Sequence, residues 1–250
     1  MRVGRANAPV ASSIRWFIFA IVLWHAARAL RGVGGPLLGS WPLSFFELSL
    51  LTIIPALFAF SLIRVFLALV QAGYGSLNTY TLTASPWAWG FWIALALILV
   101  AFGIHGAGTI LERLLPEVVR NGEFAAQLVF IGDTLGYFLL GLGIVLATLV
   151  LIASSPGGSY AVFGLERAFL FTASLLTYGY GVLYMGLAAG FYVPSILAAA
   201  IVSGIALWLL TPYDVLRDPL GLLVVPGTAL GALTLMVWGL IIGGPPSWPF

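Results

Sequence analysis

The chain has 250 residues, of which 62% are hydrophobic and 7% charged, with a formal net charge of +2. A soluble domain carries about 25% charged residues, so this composition excludes a soluble globular fold and calls for hydrocarbon as the solvent. The small, dispersed charge gives no reason to expect a nucleic-acid partner, and the absence of cysteine excludes disulfides, thiolate metal sites and a cysteine nucleophile.

Arg2, Arg5 and Arg15 are followed by an apolar run from Trp16 to Trp24, the heart of a first element over 14–31. Its basic start and the Ala27-Arg28-Ala29 triplet imitate a secretory leader with a small-x-small cleavage site. Further apolar runs follow at once, so it is expected to be the first transmembrane helix. Gly34-Gly35-Pro36 separates it from a second run over 43–70, and a polar stretch from Ser76 to Pro86 precedes a third over 87–112. Pro116 marks the turn into the fourth, 122–152, and Ser155-Pro156-Gly157-Gly158 the turn toward the fifth, 166–187. Only Gly190 to Pro194 parts the fifth from the sixth, 191–210, and the segment from Pro212 to Pro219 leads to the seventh, 220–243. Each run has about 18 residues or more, which at 1.5 Å per residue crosses a hydrocarbon core of about 30 Å. None alternates with the period of two that strands need, and lipid admits only helices or closed barrels. The predicted fold is a single all-α domain over 1–250: a polytopic membrane bundle of about seven helices with no soluble domain. No internal repeat divides the chain into inverted halves, which counts against a secondary transporter.

Three arginines before the first span favour a cytoplasmic N-terminus and, with seven spans, an outside C-terminus. Trp16, Trp41, Trp87, Trp89, Trp208 and Trp248 fall near predicted span ends, as an interfacial belt requires. Glycines recur at four-residue spacing in Gly132/Gly136, Gly186/Gly190, Gly227/Gly231 and Gly239/Gly243. Such pairs let helix backbones approach closely in lipid, here expected to be packing within one bundle.

Ionisable residues inside a span are costly, so each asks for a reason. His25 lies late in the first span, Glu47 early in the second, His105 late in the third and Asp133 early in the fourth. In an alternating topology the end of an odd span and the start of an even one share a leaflet, so all four belong to one side. His105 precedes Pro116 by eleven residues and Asp133 follows Arg120 by thirteen. An antiparallel hairpin would set the two at one level, roughly 10–15 Å below the loop. They are expected to point into the bundle within reach of each other, with Glu47 and His25 at the same end. His105, Thr109 and Glu112 form one helical stripe, Asp133 and Tyr137 an i, i+4 pair, and Ser174, Thr177, Tyr180 and Tyr184 one face of the fifth span. Glu112, Glu117, Arg113 and Arg120 read as a charged loop rim, and Arg64 as a residue snorkelling to the other interface.

Three activities fit this cluster. In the first, the protein binds or transforms a lipophilic small molecule that enters from one leaflet, apart from the membrane lipids around it. A His105–Asp133 pair supplies an oriented imidazole for proton transfer, Glu47 a second carboxylate and Tyr137 a donor to a developing oxyanion. Tyr180, Tyr184, Thr109 and His25 are the expected substrate-binding groups. In the second, the same pair titrates in a proton- or ion-coupled channel or carrier. In the third, the two histidines ligate haem b. A structural or accessory subunit, its polar residues only holding helices together, completes the alternatives. All ten basic residues are arginine, so without lysine a retinal Schiff base, and with it a microbial rhodopsin, is excluded. Two histidines do not supply the three-histidine zinc set of seven-span ceramidase-like hydrolases. The sequence requires no cofactor, and no HExxH, GxSxG, P-loop or GxGxxG stands in a usable context.

Overall fold

Seven apolar runs become seven helical spans. The computed structural model describes residues 8–30, 44–75, 77–78, 80–114, 123–155, 161–211 and 214–242. Helices long and apolar enough to cross a membrane cover Pro9–Ala29, Phe45–Gly73, Pro86–Leu111, Ala126–Ala153, Gly164–Ala188, Tyr192–Leu210 and Pro219–Ile242. No strand occurs among the described residues, and the fold is an all-α polytopic bundle. Arg2, Arg5, Arg31, Gly34-Gly35-Pro36, Trp41, Ser76, Pro116, Glu117, Arg120, Pro156-Gly157-Gly158, Pro212, Gly243 and Trp248 lie outside the described residues, as do the side chains of Glu112 and Arg113.

Local chemistry sets the span ends. The second span opens with a capping box: the Ser44 hydroxyl accepts from Glu47 N at 3.2 Å and the Glu47 carboxylate accepts from Ser44 N at 2.8 Å. The helix Phe45–Leu51 breaks at Thr52 before Ile53–Tyr74 resumes. Pro55 accounts for this, because it lacks the N–H that would reach the Leu51 carbonyl and its ring crowds that group. The narrow junction between the fifth and sixth spans is a true chain reversal. Gly190 adopts φ +76°, a left-handed conformation that costs glycine little, and Phe191 N donates to Met185 O at 2.9 Å.

The seventh span runs through the middle of the bundle. Two thirds (67%) of its most apolar window is buried, more than in any other span. Phe17, Phe58, Phe66, Phe91, Leu151 and Leu223, from spans one, two, three, four and seven, belong to one continuous core. The fifth and seventh spans approach backbone to backbone: a Cβ on Gly227 would lie 2.1 Å from Ser174 O, and one on Gly231 would lie 3.1 Å from Gly179 O. Pro226 stands inside the continuous seventh helix just before this contact, and the Gly227 N–H donates across the seam to the Ser174 hydroxyl at 2.7 Å. The third and fourth spans meet through Gly108, Gly132 and Gly136; a Cβ on Gly136 would lie 3.3 Å from the His105 Cβ. Gly132/Gly136 and Gly227/Gly231 are therefore seams inside the bundle, as expected, whereas Gly190 turns the chain between spans five and six and Gly243 lies outside the described residues. Arg15 of the first span pairs with Glu166 of the fifth at 3.3 Å, each near the start of its helix. Those two spans run parallel, and their other ends also meet.

Asp218 caps the seventh span, its Oδ1 accepting from Leu220 N and Gly221 N at 2.9 Å each. Burial raises its pKa above the ordinary 3.8, against the two hydrogen bonds that pull it down. Between 3.8 and the raised value the folded chain holds more protons than the unfolded one. Stability is therefore lost as the pH rises through that window. Asp218→Asn keeps the cap without the buried charge and should remove this pH dependence, while Asp218→Ala should remove it too and lie about 1 kcal/mol below Asp218→Asn at any pH, for the lost cap. Thermal midpoints of both variants against pH check this.

Candidate functional site

Six of the eight singled-out residues form one connected cluster near the end of the first span. His105 Nδ1 lies 3.2 Å from Asp133 Oδ1 and 3.3 Å from Gly132 O. Both neighbours are acceptors, so Nδ1 carries the hydrogen and the basic lone pair stands on Nε2. The His105 ring meets the Tyr137 ring at 4.9 Å, and the Tyr184 hydroxyl donates to the Tyr137 hydroxyl at 3.3 Å. Tyr184 stacks on Tyr180 at 6.2 Å, and Tyr180 stands edge-on to His25 at 4.4 Å.

Arg28 sits at the centre of the cluster. Its Nη2 donates to both the Tyr137 and Tyr184 hydroxyls, and its guanidinium lies 4.0 Å from the Tyr184 ring centre. In the sequence Arg28 reads as loop charge, yet it is three residues after His25 and so shares its helical face. That spacing was the available signal. Trp24, which stacks on His25 at 4.9 Å, was the other residue missed.

Backbone irregularity helps aim these groups. The fourth span is a π-helix over Phe130–Leu135, and the fifth over Leu175–Gly179 and Tyr184–Ala188. A π turn inserts an extra residue and rotates everything beyond it. Asp133 lies within the first of these segments and Tyr184 begins the last.

Two expected members are placed elsewhere. The Glu47 carboxylate closes the capping box of its own helix, and the Thr109 hydroxyl donates to His105 O at 2.9 Å. Asp133 reaches His105 but is not enclosed: its side chain is 56% exposed against 29% for His105. The expectation that both point inward holds for the imidazole alone. Asp133 lies within the π segment Phe130–Leu135 and its side chain stays exposed.

Beside the cluster lies a cavity of about 390 Å³ between spans one, two, four, five, six and seven. Its wall is almost wholly apolar, with Phe17, Phe58, Met185 and Phe191 among its residues. Phe138, Leu142, Leu197 and Ile201 line it and are also exposed, so it opens sideways between spans four and six. His25 and Tyr184 stand in its wall at the cluster end. Toward the bundle centre the wall carries Thr148, whose hydroxyl lies 3.1 Å from that of Tyr178, and Thr228, which meets Ser203 at 2.6 Å. Both nitrogens of His25 are buried and lack a hydrogen-bond partner among the described residues.

No protein-family model, curated protein or solved structure matches this chain. Its chemistry therefore has to be read from these residues alone. A bis-histidine haem does not fit them: only His25 lines the cavity, while His105 is reached from it through three tyrosine rings and is turned by Nδ1 to Asp133. Among the described residues no group of three His, Asp or Glu side chains stands where it could hold a metal ion.

Proposed function

We propose that this integral membrane protein takes a lipophilic small molecule from the bilayer into the cavity and moves protons at its polar end. The observation that carries the reading is the unpartnered His25 imidazole in the wall of an otherwise apolar cavity. A buried polar group without a partner costs about 1–3 kcal/mol, so it persists where something else needs it. The cavity volume falls in the range of about 300–1,000 Å³ typical of small-molecule sites, and such sites combine apolar walls with a few convergent polar groups. The side opening between spans four and six suits a ligand that arrives through lipid.

In this reading His25 accepts or returns a proton at the ligand, and Tyr184, tied to Arg28, turns its one hydroxyl hydrogen from Tyr137 to an oxygen that gains charge. His105 and Asp133 stand behind Tyr137 as a reserve of the same proton. The N-terminus is cytoplasmic and the C-terminus outside, on the strength of the leading arginines. Reporters fused at the two ends should therefore read the cytoplasmic side at the N-terminus and the outside at the C-terminus; the same side at both would mean a span missing or added, and the reversed pair would refute the orientation.

Binding is tested with an environment-sensitive lipophilic dye titrated into the purified protein. Ala198→Trp fills the cavity wall and should weaken dye binding at least about tenfold, the effect of losing a good apolar fit. His25→Phe keeps the stacking on Trp24 and Tyr180 but removes the two orphaned nitrogens. It should raise the thermal midpoint by roughly 2–4 °C per kcal/mol recovered, a stabilisation bought at the expense of function. Unchanged dye affinity in Ala198→Trp would exclude the cavity as the binding site.

A further inference from the structure

We propose that the ligand of this cavity is a monoanion, a carboxylate on an apolar body, and that Arg28 recognises its charge. The proposal rests on the cavity being the binding site and adds the sign of the headgroup. Arg28 is half-buried inside the bundle, yet among the described residues it faces no carboxylate. The acidic residues paired there belong to other cations: Glu166 to Arg15, Asp133 to His105 and Asp214 to Arg217. Among the described residues its hydrogen-bond partners are two phenols, which are neutral acceptors whose ring faces attract the cation but carry no opposite charge.

Both of those bonds come from one nitrogen, Nη2. A guanidinium has five N–H donors in a fork that matches a carboxylate, so Nε and Nη1 remain for a ligand. Arg28 stands behind the cavity wall and not in it; Tyr184 is the shared member, lining the cavity and accepting from Arg28, so the guanidinium is reached past that side chain. His25, one helical turn before Arg28, adds an unpartnered imidazole at the same end of the same cavity. One uncompensated cation matches one negative charge. A dianionic phosphate monoester would leave a net charge in a low-dielectric site, which is the costlier arrangement.

The test compares dodecanoate, dodecanol and dodecyl phosphate as competitors of the lipophilic dye, on the full chain in nanodiscs at a pH where the acid is ionised. Dodecanoate should compete about ten- to a hundredfold better than dodecanol, the weight of hydrogen bonds to a charged group. Arg28→Gln should abolish that preference and leave dodecanol competing as in the wild type, while Arg28→Lys should restore part of it by keeping charge without the fork. Equal competition by dodecanoate and dodecanol in the wild type, or a preference that survives in Arg28→Gln, would overturn the anionic headgroup while leaving the cavity as a lipophilic site. Stronger competition by dodecyl phosphate would overturn the monoanion. Failure of the dye and all three amphiphiles to bind would overturn the cavity reading with it. If Arg28→Gln does not fold, the wild-type comparison decides alone.

Discussion

Gly227→Ala should lower the thermal midpoint of the purified protein by roughly 6–12 °C, about 3 kcal/mol at 2–4 °C per kcal/mol for a chain of this size. The added Cβ would lie 2.1 Å from Ser174 O and 2.8 Å from Gly179 N, both backbone atoms with no rotamer to escape into. Spans five and seven must separate to admit it. Separation would also stretch the 2.7 Å bond from Gly227 N to the Ser174 hydroxyl. Alanine is otherwise the better helix former by about 1 kcal/mol, so intrinsic propensity acts in the opposite direction and cannot explain a loss. Gly204→Ala is the control. Nothing lies within 4 Å of its Cβ position, so this change in the sixth span should leave the midpoint unchanged or raise it. A Gly227→Ala protein as stable as the wild type would mean that the five–seven seam is not a rigid contact.

The glycine seams were legible in the sequence because four-residue spacing alone brings small residues to one stripe. The seven spans were legible for a simpler reason, since lipid leaves so few alternatives. The first helix starts earlier than its apolar run, at Ala8 rather than near 14, because Ser13 turns inward and is buried. Polar residues at a helix start look like loop until the packing face is known.

The His105–Asp133 pairing was also legible, since counting residues from a turn fixes depth. Rotation about the helix axis was not. It depends on whether the backbone keeps 3.6 residues per turn, and the π segment at Phe130–Leu135 breaks that rule around Asp133 itself. The cavity was invisible for a different reason. It is made by missing volume at Gly141, Gly181 and Ala198, contributed by three spans whose juxtaposition no local pattern encodes. Arg28 was lost to a habit of reading, because arginine at a span end is usually solvated and here turns toward two tyrosines.

Asp133→Asn should leave fold and ligand binding nearly intact while slowing any proton-transfer turnover by about 10²–10⁴-fold. Turnover is scored by mass spectrometry of the lipophilic molecule bound to the protein. The hydrogen on His105 Nδ1 is accepted by both the Asp133 carboxylate and the Gly132 carbonyl. A carboxylate fixes that tautomer and stabilises the imidazolium that forms when Nε2 takes a proton. Asparagine retains the shape, but its amide can present either oxygen or N–H₂, so the tautomer is no longer fixed and the counter-charge is gone. As an adhesive the pair is weak. Interhelical hydrogen bonds in membranes average about 0.6 kcal/mol, and a partly exposed ion pair contributes about 0–1 kcal/mol. Stability therefore cannot account for a large loss of turnover, and a thermal midpoint within a few degrees of wild type confirms that the fold survived. His105→Gln should reproduce the loss, and the double variant should be no slower than either single one, because the two residues act as one unit. A well-folded Asp133→Asn protein that turns over its ligand at the wild-type rate would reduce the pair to a fastening between spans three and four. The chemistry would then rest on His25 and Tyr184 alone.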